Sequence, residues 1–191
     1  GCFNNFTKIN DELLKTWSKI LLAVPNSKIF IKAKQLKVQS ISESLIKKFT
    51  SYGIKNNRII LEYSESRASY LASYNKVDIS LDSFPYPGGT VSIESLWMGV
   101  PVITLAGERL LSNQGKAILM NIGLKDWISK NKEEYILKTI FYSSDLKQLR
   151  LLRDNLRKKL IASPLCNTSR FAKNFENALW QMWEKYKKQY K

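Results

Sequence analysis

The chain has 191 residues, of which 44% are hydrophobic and 25% charged, a balance typical of a folded domain with a substantial core. It contains no run of about 18 apolar residues and no apolar segment behind a basic start, so the sequence predicts neither a membrane span nor a signal peptide. The two cysteines, Cys2 and Cys166, lie far apart without metal-ligand spacing. This usage favours a reducing compartment, the cytoplasm, over a disulfide framework.

The net charge of +15, from 31 Lys and Arg against 16 Asp and Glu, would attract a polyanion. The lysines, however, are spread over segments whose other face is apolar, as on solvated helix faces. We therefore favour a basic surface without a nucleic-acid partner, and keep nucleic-acid association as the less favoured alternative. The lysines on which this interpretation depends are Lys32, Lys34, Lys37, Lys47, Lys48, Lys125, Lys158, Lys159, Lys187 and Lys188.

Hydrophobic periodicity predicts helices and strands that alternate along the chain. The first helix is capped by Asn10 or Asp11 and ends before Pro25. Strands are predicted at 28–33, 58–62, 77–81 and 101–105, and helices at 40–52, 66–75, 90–98 and 109–121. This order indicates an α/β fold, a Rossmann-like doubly wound parallel sheet, over residues 1–130.

Residues 131–191 are predicted to form C-terminal helices that pack on this sheet domain or close it. One apolar stripe consists of Leu146, Leu149, Leu152, Leu156 and Leu160, and a second of Phe171, Phe175, Leu179, Met182, Trp183 and Tyr186. Both follow the helical period, so we interpret the second stripe as core packing and not as a base-stacking platform. Cys166, between the two helices, is expected to be a small buried apolar residue and not a nucleophile.

A glycine-containing loop follows the strand at 77–81 and leads into the helix at 90–98. Gly88 and Gly89 would let backbone amides approach a phosphate, and Thr90 would cap the helix or contact the phosphate. On spacing alone, an ordinary strand-to-helix turn explains the glycines equally well. Glu94, one turn into the helix, is suited to accept hydrogen bonds from ribose hydroxyls.

Two cations follow predicted strands or strand-like segments: Lys8 near the start of the chain, and Arg67 after the strand at 58–62. Each is a candidate diphosphate clamp, and each would also be explained as a solvated surface charge. The chain contains no histidine, which excludes histidine acid–base chemistry within it. It also lacks zinc-ligand spacing and a Walker-type loop.

Two long segments together resemble the O-linked N-acetylglucosamine transferase family, including its bacterial and SPINDLY-like members. These segments are VDISLDSFPYPGGT at 77–90 and ESLWMGVPVITLAGER at 94–109. Shorter matches are FNN at 3–5 with Lys8, SPL at 163–165 and QMWE at 181–184. The resemblance therefore extends over nearly the whole chain.

The resemblance implies a GT-B architecture, in which two Rossmann-like halves face a cleft and this chain is the carboxy-terminal half with its closing helices. It implies an inverting, metal-independent protein O-glycosyltransferase that transfers N-acetylglucosamine to Ser or Thr, with a UDP-sugar as substrate and no cofactor. The amino-terminal half would supply acceptor-side groups, and tetratricopeptide repeats in the parent protein would hold the protein acceptor. The chain alone is then expected to be inactive.

Matched by position, the resemblance assigns Asn5 to uracil or sugar, Lys8 and Arg67 to the diphosphate, Thr90 to the phosphates, Glu94 to the ribose, and Gly88 and Gly89 to the loop shape. Lys8 would stabilise the leaving group. Two positions depart from the family: Tyr70 stands where many members have histidine near the nucleotide, and Val91 replaces a second loop threonine. Tyr70 can still stack or donate, whereas Val91 cannot donate. These departures leave open a degenerate, non-catalytic scaffold, and the resemblance does not choose among donor sugars.

Overall fold

The computed structural model describes residues 1–63 and 66–189, in which helices and strands alternate. The strands are β1 (Ile29–Lys32), β2 (Ile59–Glu62), β3 (Ser80–Leu81), β4 (Val102–Leu105) and β5 (Ile128–Ser129). The helices are α1 (Asp11–Ala23), α2 (Gln39–Ser51), α3 (Arg67–Ala72), α4 (Thr90–Trp97), α5 (Gln114–Asn121), α6 (Lys132–Ser143), α7 (Leu146–Ile161) and α8 (Thr168–Gln189). The α/β fold predicted from the alternation is confirmed.

The strands are parallel, and the first three residues join them into one sheet. β1 pairs with β2, and β3, β4 and β5 pair in that order. Cys2 bridges to Ile31 of β1, while the Gly1 backbone exchanges hydrogen bonds of 2.7 Å with Ile79 and Leu81 at β3. With this opening segment (residues 1–3) counted as a strand, the order across the sheet is that of a doubly wound fold, with the topological switch point between the opening segment and β3.

The core is continuous from the sheet into the helices that cover it. Trp17 of α1 is fully buried, and its indole Nε1 donates to the Tyr135 hydroxyl of α6 at 3.4 Å. That hydroxyl in turn donates to the Asp82 backbone carbonyl at 3.0 Å. The packing of α1 on α6 therefore holds the carboxyl end of β3 in place.

Local sequence signals account for the helix starts. Asn10 caps α1, because its Oδ1 accepts from the Leu13 amide at 2.9 Å, which decides between the two predicted caps. Ser66 caps α3 and Asn131 caps α6 in the same way. Each cap satisfies amides of the first turn that have no partner within the helix.

Some predicted boundaries are wrong. The helix expected at 109–121 begins as an α-helix only at Gln114, because Ser112 Oγ accepts from the Arg109 amide and Asn113 Nδ2 donates to the Gly107 carbonyl. These local hydrogen bonds satisfy backbone groups of the segment before Gln114, which therefore forms a loop and not the first turn of the helix. The strand predicted at 77–81 is shorter and comprises only β3. The helix predicted at 66–75 is α-helical only to Ala72 and continues as a 3₁₀ turn.

The two C-terminal apolar stripes differ in how deeply they are buried. Leu149, Leu156 and Leu160 of α7 are buried in the main core, as predicted, although Leu146 is 68% exposed. No described residue of α8 is buried, and every member of its aromatic stripe is at least 48% exposed. The interpretation of that stripe as core is therefore wrong within this chain, because α8 leaves the domain at the turn Pro164–Cys166.

Cys166 lies on that turn and is exposed, so the expectation of a buried cysteine is wrong. The division of the chain near residue 130 stays a prediction. Residues 190–191 of its second part lie outside the described residues. Across residues 1–63 and 66–189, no helix has both the length and the apolar character needed to cross a bilayer.

Candidate functional site

The topological switch point places two loops side by side at the carboxyl edge of the sheet. One begins with Asn4 after the opening segment, and the other is the glycine loop (residues 82–89) after β3. Doubly wound folds bind ligands in the crevice that such diverging loops leave. A separate cavity of about 360 Å³ at the amino edge is lined mainly by apolar side chains such as Trp17 and Leu149. We therefore place the candidate site at the carboxyl edge.

A buried carboxylate organises this edge. Asp82 is 2% exposed, and its Oδ1 accepts from Asn4 Nδ2 at 3.0 Å and from the Gly88 amide at 2.6 Å. Its Oδ2 accepts from Thr104 Oγ1 at 2.8 Å. Burial raises the pKa of Asp82 to about 6, and the three donors and Lys8 oppose that shift. Sequence reasoning did not select Asp82 as a site residue, although a carboxylate directly after a buried strand was the available signal.

Lys8 lies over the glycine loop. Its Nζ donates to the Pro87 carbonyl at 2.9 Å and stands 3.8 Å from the centre of the Tyr86 ring. Partial burial lowers the pKa of Lys8, and the Asp82 carboxylate opposes this shift. A cation held beside a backbone turn is well placed to meet an anionic ligand.

The glycine loop has little space for side chains. A β-carbon at Gly88 would lie 2.6 Å from Ser92 Oγ and 2.8 Å from Asn4 Oδ1, so glycine is required by the packing. Gly89 is the N-cap of α4, and Thr90 is the exposed first residue of the helix. The expectation that Thr90 caps α4 is therefore wrong. Its backbone amide belongs to the first turn of α4, where amides have no helical partner and attract anions.

A cleft of about 470 Å³ opens beside the glycine loop and contains four of the predicted site residues. These are Asn5, Arg67, Tyr70 and Glu94. Arg67 Nη2 donates to Glu94 Oε1 at 2.6 Å, and this bond raises the pKa of Arg67. The Arg67 side chain is 64% exposed, whereas that of Glu94 is 10% exposed. Residues predicted to bind different parts of a ligand thus bind each other here.

Tyr70 forms part of an aromatic cluster on the cleft wall. Its ring packs edge-on against Phe3 at 5.7 Å, and its hydroxyl is 3.4 Å from that of Tyr74. Burial raises the pKa of Tyr70 to about 12, so the hydroxyl is a neutral donor at physiological pH. The Val91 side chain packs against the same cluster. The two departures from the family pattern therefore lie together.

Asn5 is exposed at the mouth of the cleft. Its Oδ1 accepts from the Thr7 amide at 3.1 Å, which caps the 3₁₀ turn Phe6–Lys8, and from Gln35 Nε2 at 3.2 Å. The Asn5 side chain thereby links the start of the 3₁₀ turn to the loop after β1. Its role toward a ligand stays a prediction.

Lys32 contradicts the interpretation of the lysines as solvated charges. It is 4% exposed, and its Nζ donates to Ser73 Oγ at 2.7 Å and Glu62 Oε2 at 3.1 Å. The reason is its place at the end of β1, a strand that is buried along its whole length. Lys32 also lines the cleft, so it is a site residue that sequence reasoning missed.

The structure thus groups the predicted residues into two adjoining parts. Asn5, Arg67, Tyr70 and Glu94 line the cleft, while Lys8, Gly88, Gly89 and Thr90 lie on or over the glycine loop. Asn4 connects the parts, because it lines the cleft and donates to Asp82. Cations and first-turn amides suit an anion, and a carboxylate beside an aromatic ring suits hydroxyls and a planar group.

Fold and site together define a doubly wound α/β domain with a cleft at its topological switch point, where folds of this class bind ligands. The chain belongs to glycosyl transferase family 41, whose profile matches residues 1–175. It is 38% identical over 187 residues to the probable UDP-N-acetylglucosamine–peptide N-acetylglucosaminyltransferase SPINDLY of Arabidopsis thaliana, covering 97% of this chain and 20% of that protein. The SPINDLY protein of Solanum lycopersicum is 36% identical, with the same coverage. The family resemblance is confirmed.

Solved structures agree with this membership. A mutant of the Thermobaculum terrenum O-GlcNAc transferase superposes with a TM-score of 0.91 at 36% identity, covering 96% of this chain and 35% of that one. Anabaena Alr3699/HepE, solved with UDP and glucose, gives a TM-score of 0.58 at 14% identity, covering 92% and 48% of the two chains, and shows the shared fold alone. The chain spans about a fifth of the length of its curated relatives.

Proposed function

We propose that the chain is the UDP-sugar-binding half of an inverting, metal-independent protein O-glycosyltransferase that transfers N-acetylglucosamine to Ser or Thr. The observation that carries the proposal is the meeting of Lys8, the glycine loop and the cleft with its Arg67–Glu94 pair at the switch point of the sheet. The names of the SPINDLY relatives, which specify UDP-N-acetylglucosamine and peptide, support the same donor and acceptor class.

In this proposal the glycine loop and Lys8 receive the diphosphate. Breaking the glycosidic bond leaves negative charge on the departing UDP, and fixed donors stabilise that charge most effectively when they are in place beforehand. The Lys8 ammonium, held 2.9 Å from the Pro87 carbonyl, would exchange that carbonyl for a phosphate oxygen. The first-turn amides of α4 would donate hydrogen bonds to the phosphates, and the helix dipole would favour their negative charge, without any movement of the helix.

The cleft would hold the nucleoside. Glu94 would accept ribose hydroxyls through Oε2, because Oε1 already accepts from Arg67 at 2.6 Å. Arg67 is the more exposed partner of this ion pair, and the guanidinium N–H groups that do not bond Glu94 would reach the diphosphate. Tyr70, a neutral donor whose ring lies perpendicular to that of Phe3, would contact the base. The two residues of one ion pair would thus make the ribose contact and the phosphate contact.

Other parts of the function depend on the rest of the protein. We propose that an amino-terminal Rossmann-like half completes the cleft, that tetratricopeptide repeats hold the acceptor, and that the enzyme acts in the cytoplasm. The exposed aromatic stripe of α8 would then pack on that absent half, since every member of the stripe is at least 48% exposed in this chain. The chain alone would bind the donor without transferring it.

The first test is calorimetric titration of UDP into the chain at moderate salt, with ADP and GDP as controls. We expect selective UDP binding that weakens by about tenfold or more in Lys8→Ala, which removes the cation, and in Glu94→Gln, which replaces one carboxylate oxygen with an NH2 group that cannot accept from a ribose hydroxyl while the other oxygen stays on Arg67. Lys125→Ala is the matched control, because Lys125 is exposed just before β5, at the opposite edge of the sheet. It removes the same charge and should leave affinity unchanged.

Equal binding of all three nucleotides, or equal losses in Lys8→Ala and Lys125→Ala, would contradict the proposed site. Absence of binding would mean that this half needs the amino-terminal half to form the site or has lost the site, and the non-catalytic scaffold, to which Tyr70 and Val91 point, would then become the favoured alternative. Binding of RNA or DNA with a steep salt dependence that persists in Glu94→Gln would instead favour the nucleic-acid alternative. Sugar turnover by the full-length protein then tests the transfer reaction itself.

A further inference from the structure

The Asp82 carboxylate connects two loops and strand β4 at the carboxyl edge of the sheet. Asn4 follows the opening segment, Gly88 belongs to the loop after β3, and Thr104 lies within β4 near its end. All three donate to the two oxygens of Asp82, at 3.0, 2.6 and 2.8 Å. No proposed ligand contact uses Asp82 itself, so its role needs a separate explanation.

The surroundings of this carboxylate leave it little freedom to move. Asp82 is 2% exposed and Thr104 is fully buried. On the α5 side, a β-carbon at Gly115 would lie 2.7 Å from Asp82 Oδ2, so this helix can approach only because the residue is glycine. The packing therefore holds the carboxylate at one position from which it sets the place of Gly88.

We propose that Asp82 is a positioning residue: it holds the Gly88 amide, and with it the glycine loop and the start of α4, in the arrangement that receives the nucleotide phosphates. This role rests on the proposed function. By engaging the Gly88 amide, Asp82 directs the following first-turn amides of α4 toward the crevice as donors for a ligand. Through Asn4 it also aligns the loop with the cleft.

Hydrogen-bond geometry, and not negative charge, is what this role requires. An asparagine at this position keeps all three bonds, because its Oδ1 accepts from Asn4 and Gly88 while its Nδ2 donates to the Thr104 hydroxyl. Alanine removes all three. The Lys8 charge opposes the rise in the pKa of this carboxyl, but Lys8 Nζ donates its hydrogen bond to the Pro87 carbonyl and not to Asp82.

The experiment compares Asp82→Asn with Asp82→Ala in two measurements. UDP titration at pH 7.5 should give affinities within about threefold of wild type for Asp82→Asn and at least tenfold weaker for Asp82→Ala. Amide hydrogen exchange of Gly88, followed by NMR without ligand, should accelerate at least about tenfold in Asp82→Ala and stay slow in Asp82→Asn. Asp154→Asn, exposed on α7, is the control that should change neither.

A second pair of variants covers the case in which Asp82→Ala does not fold. Thr104→Val preserves shape but removes the donor to Oδ2, whereas Thr104→Ser keeps it. We expect faster Gly88 exchange and weaker UDP binding in the valine variant alone. Unchanged exchange in both Asp82→Ala and Thr104→Val, or equal losses in Asp82→Asn and Asp82→Ala, would overturn the proposal.

The ligand-free measurement separates this inference from the proposed function. If wild type binds no UDP, this half either needs the amino-terminal half to form the nucleotide site or has lost that site. The exchange of the Gly88 amide still decides whether Asp82 holds the loop.

Discussion

Replacing Asp82 with asparagine should change how the stability of the fold depends on pH. Burial raises the pKa of this carboxyl from 3.8 to about 6 in the folded chain. Between these values the folded state binds a proton that the unfolded state does not, so the contribution of Asp82 to the free energy of unfolding increases as pH falls from 7 to 4. The shift corresponds to about 3 kcal/mol, at 1.36 kcal/mol for each pKa unit.

Comparison of the two proteins isolates this contribution. Other carboxylates act in the opposite sense: Glu62 has its pKa lowered by hydrogen bonds from Lys76 and Lys32, so its stabilisation is lost as pH falls through its folded pKa. Such effects are common to wild type and Asp82→Asn and cancel in the difference. The free energy of unfolding of wild type minus that of Asp82→Asn should therefore rise by about 2.4 kcal/mol between pH 7.5 and pH 4, since the unfolded carboxyl is itself partly protonated at pH 4.

Urea unfolding at half-unit pH steps, followed by tryptophan fluorescence, measures this difference. Trp17 and Trp127 are buried and should report on the transition. The dependence of the unfolding free energy on urea must be the same in both proteins, so that the comparison concerns stability and not a change in the denatured state. Parallel pH profiles of the two proteins would refute the argument, because they would show that Asp82 has the same pKa folded and unfolded.

Three further predictions concern packing, each measured by urea unfolding. Gly115→Ala should destabilise the fold by about 1–3 kcal/mol, because the added carbon would lie 2.7 Å from Asp82 Oδ2; a stability equal to wild type would show that α5 can shift. Leu156→Ala should cost about 2–5 kcal/mol because Leu156 is fully buried, and a loss below about 1 kcal/mol would contradict the packing of α7 on the core. Phe175→Ser and Trp183→Ser on exposed α8 should change stability by less than about 0.5 kcal/mol, and a large loss would place α8 against the domain.

The fold and part of the site were predictable from sequence because their signals are local. The alternation of buried strands with amphipathic helices depends on periods of two to four residues, which the sequence displays directly. The glycine loop was predictable for the same reason, since two glycines stand between a strand and a helix. The cap of α1 was narrowed to two neighbouring residues, and only the hydrogen bond from the Leu13 amide selected Asn10.

Hydrophobic periodicity predicted burial less well, because it identifies an apolar face but not the element that covers it. The stripes of α7 and α8 both follow the helical period, yet Leu156 is fully buried while Phe175 is 54% exposed. An apolar stripe favours packing against another surface, but it does not determine where that surface lies. The same limit applies to Lys32. Its charge predicted an exposed side chain, but it lies on β1, which is buried along its whole length.

The sequence by itself determined the fold class, the family and the residue types around the crevice, because these depend on short-range pattern and motif. Tertiary structure alone decided which groups meet. Asn4 and Asp82 are 78 positions apart, Lys32 and Ser73 are 41 apart, and Arg67 and Glu94 are 27 apart. Contacts over such distances arise only when the parallel strands align their carboxyl ends at one edge, and no local pattern encodes that alignment.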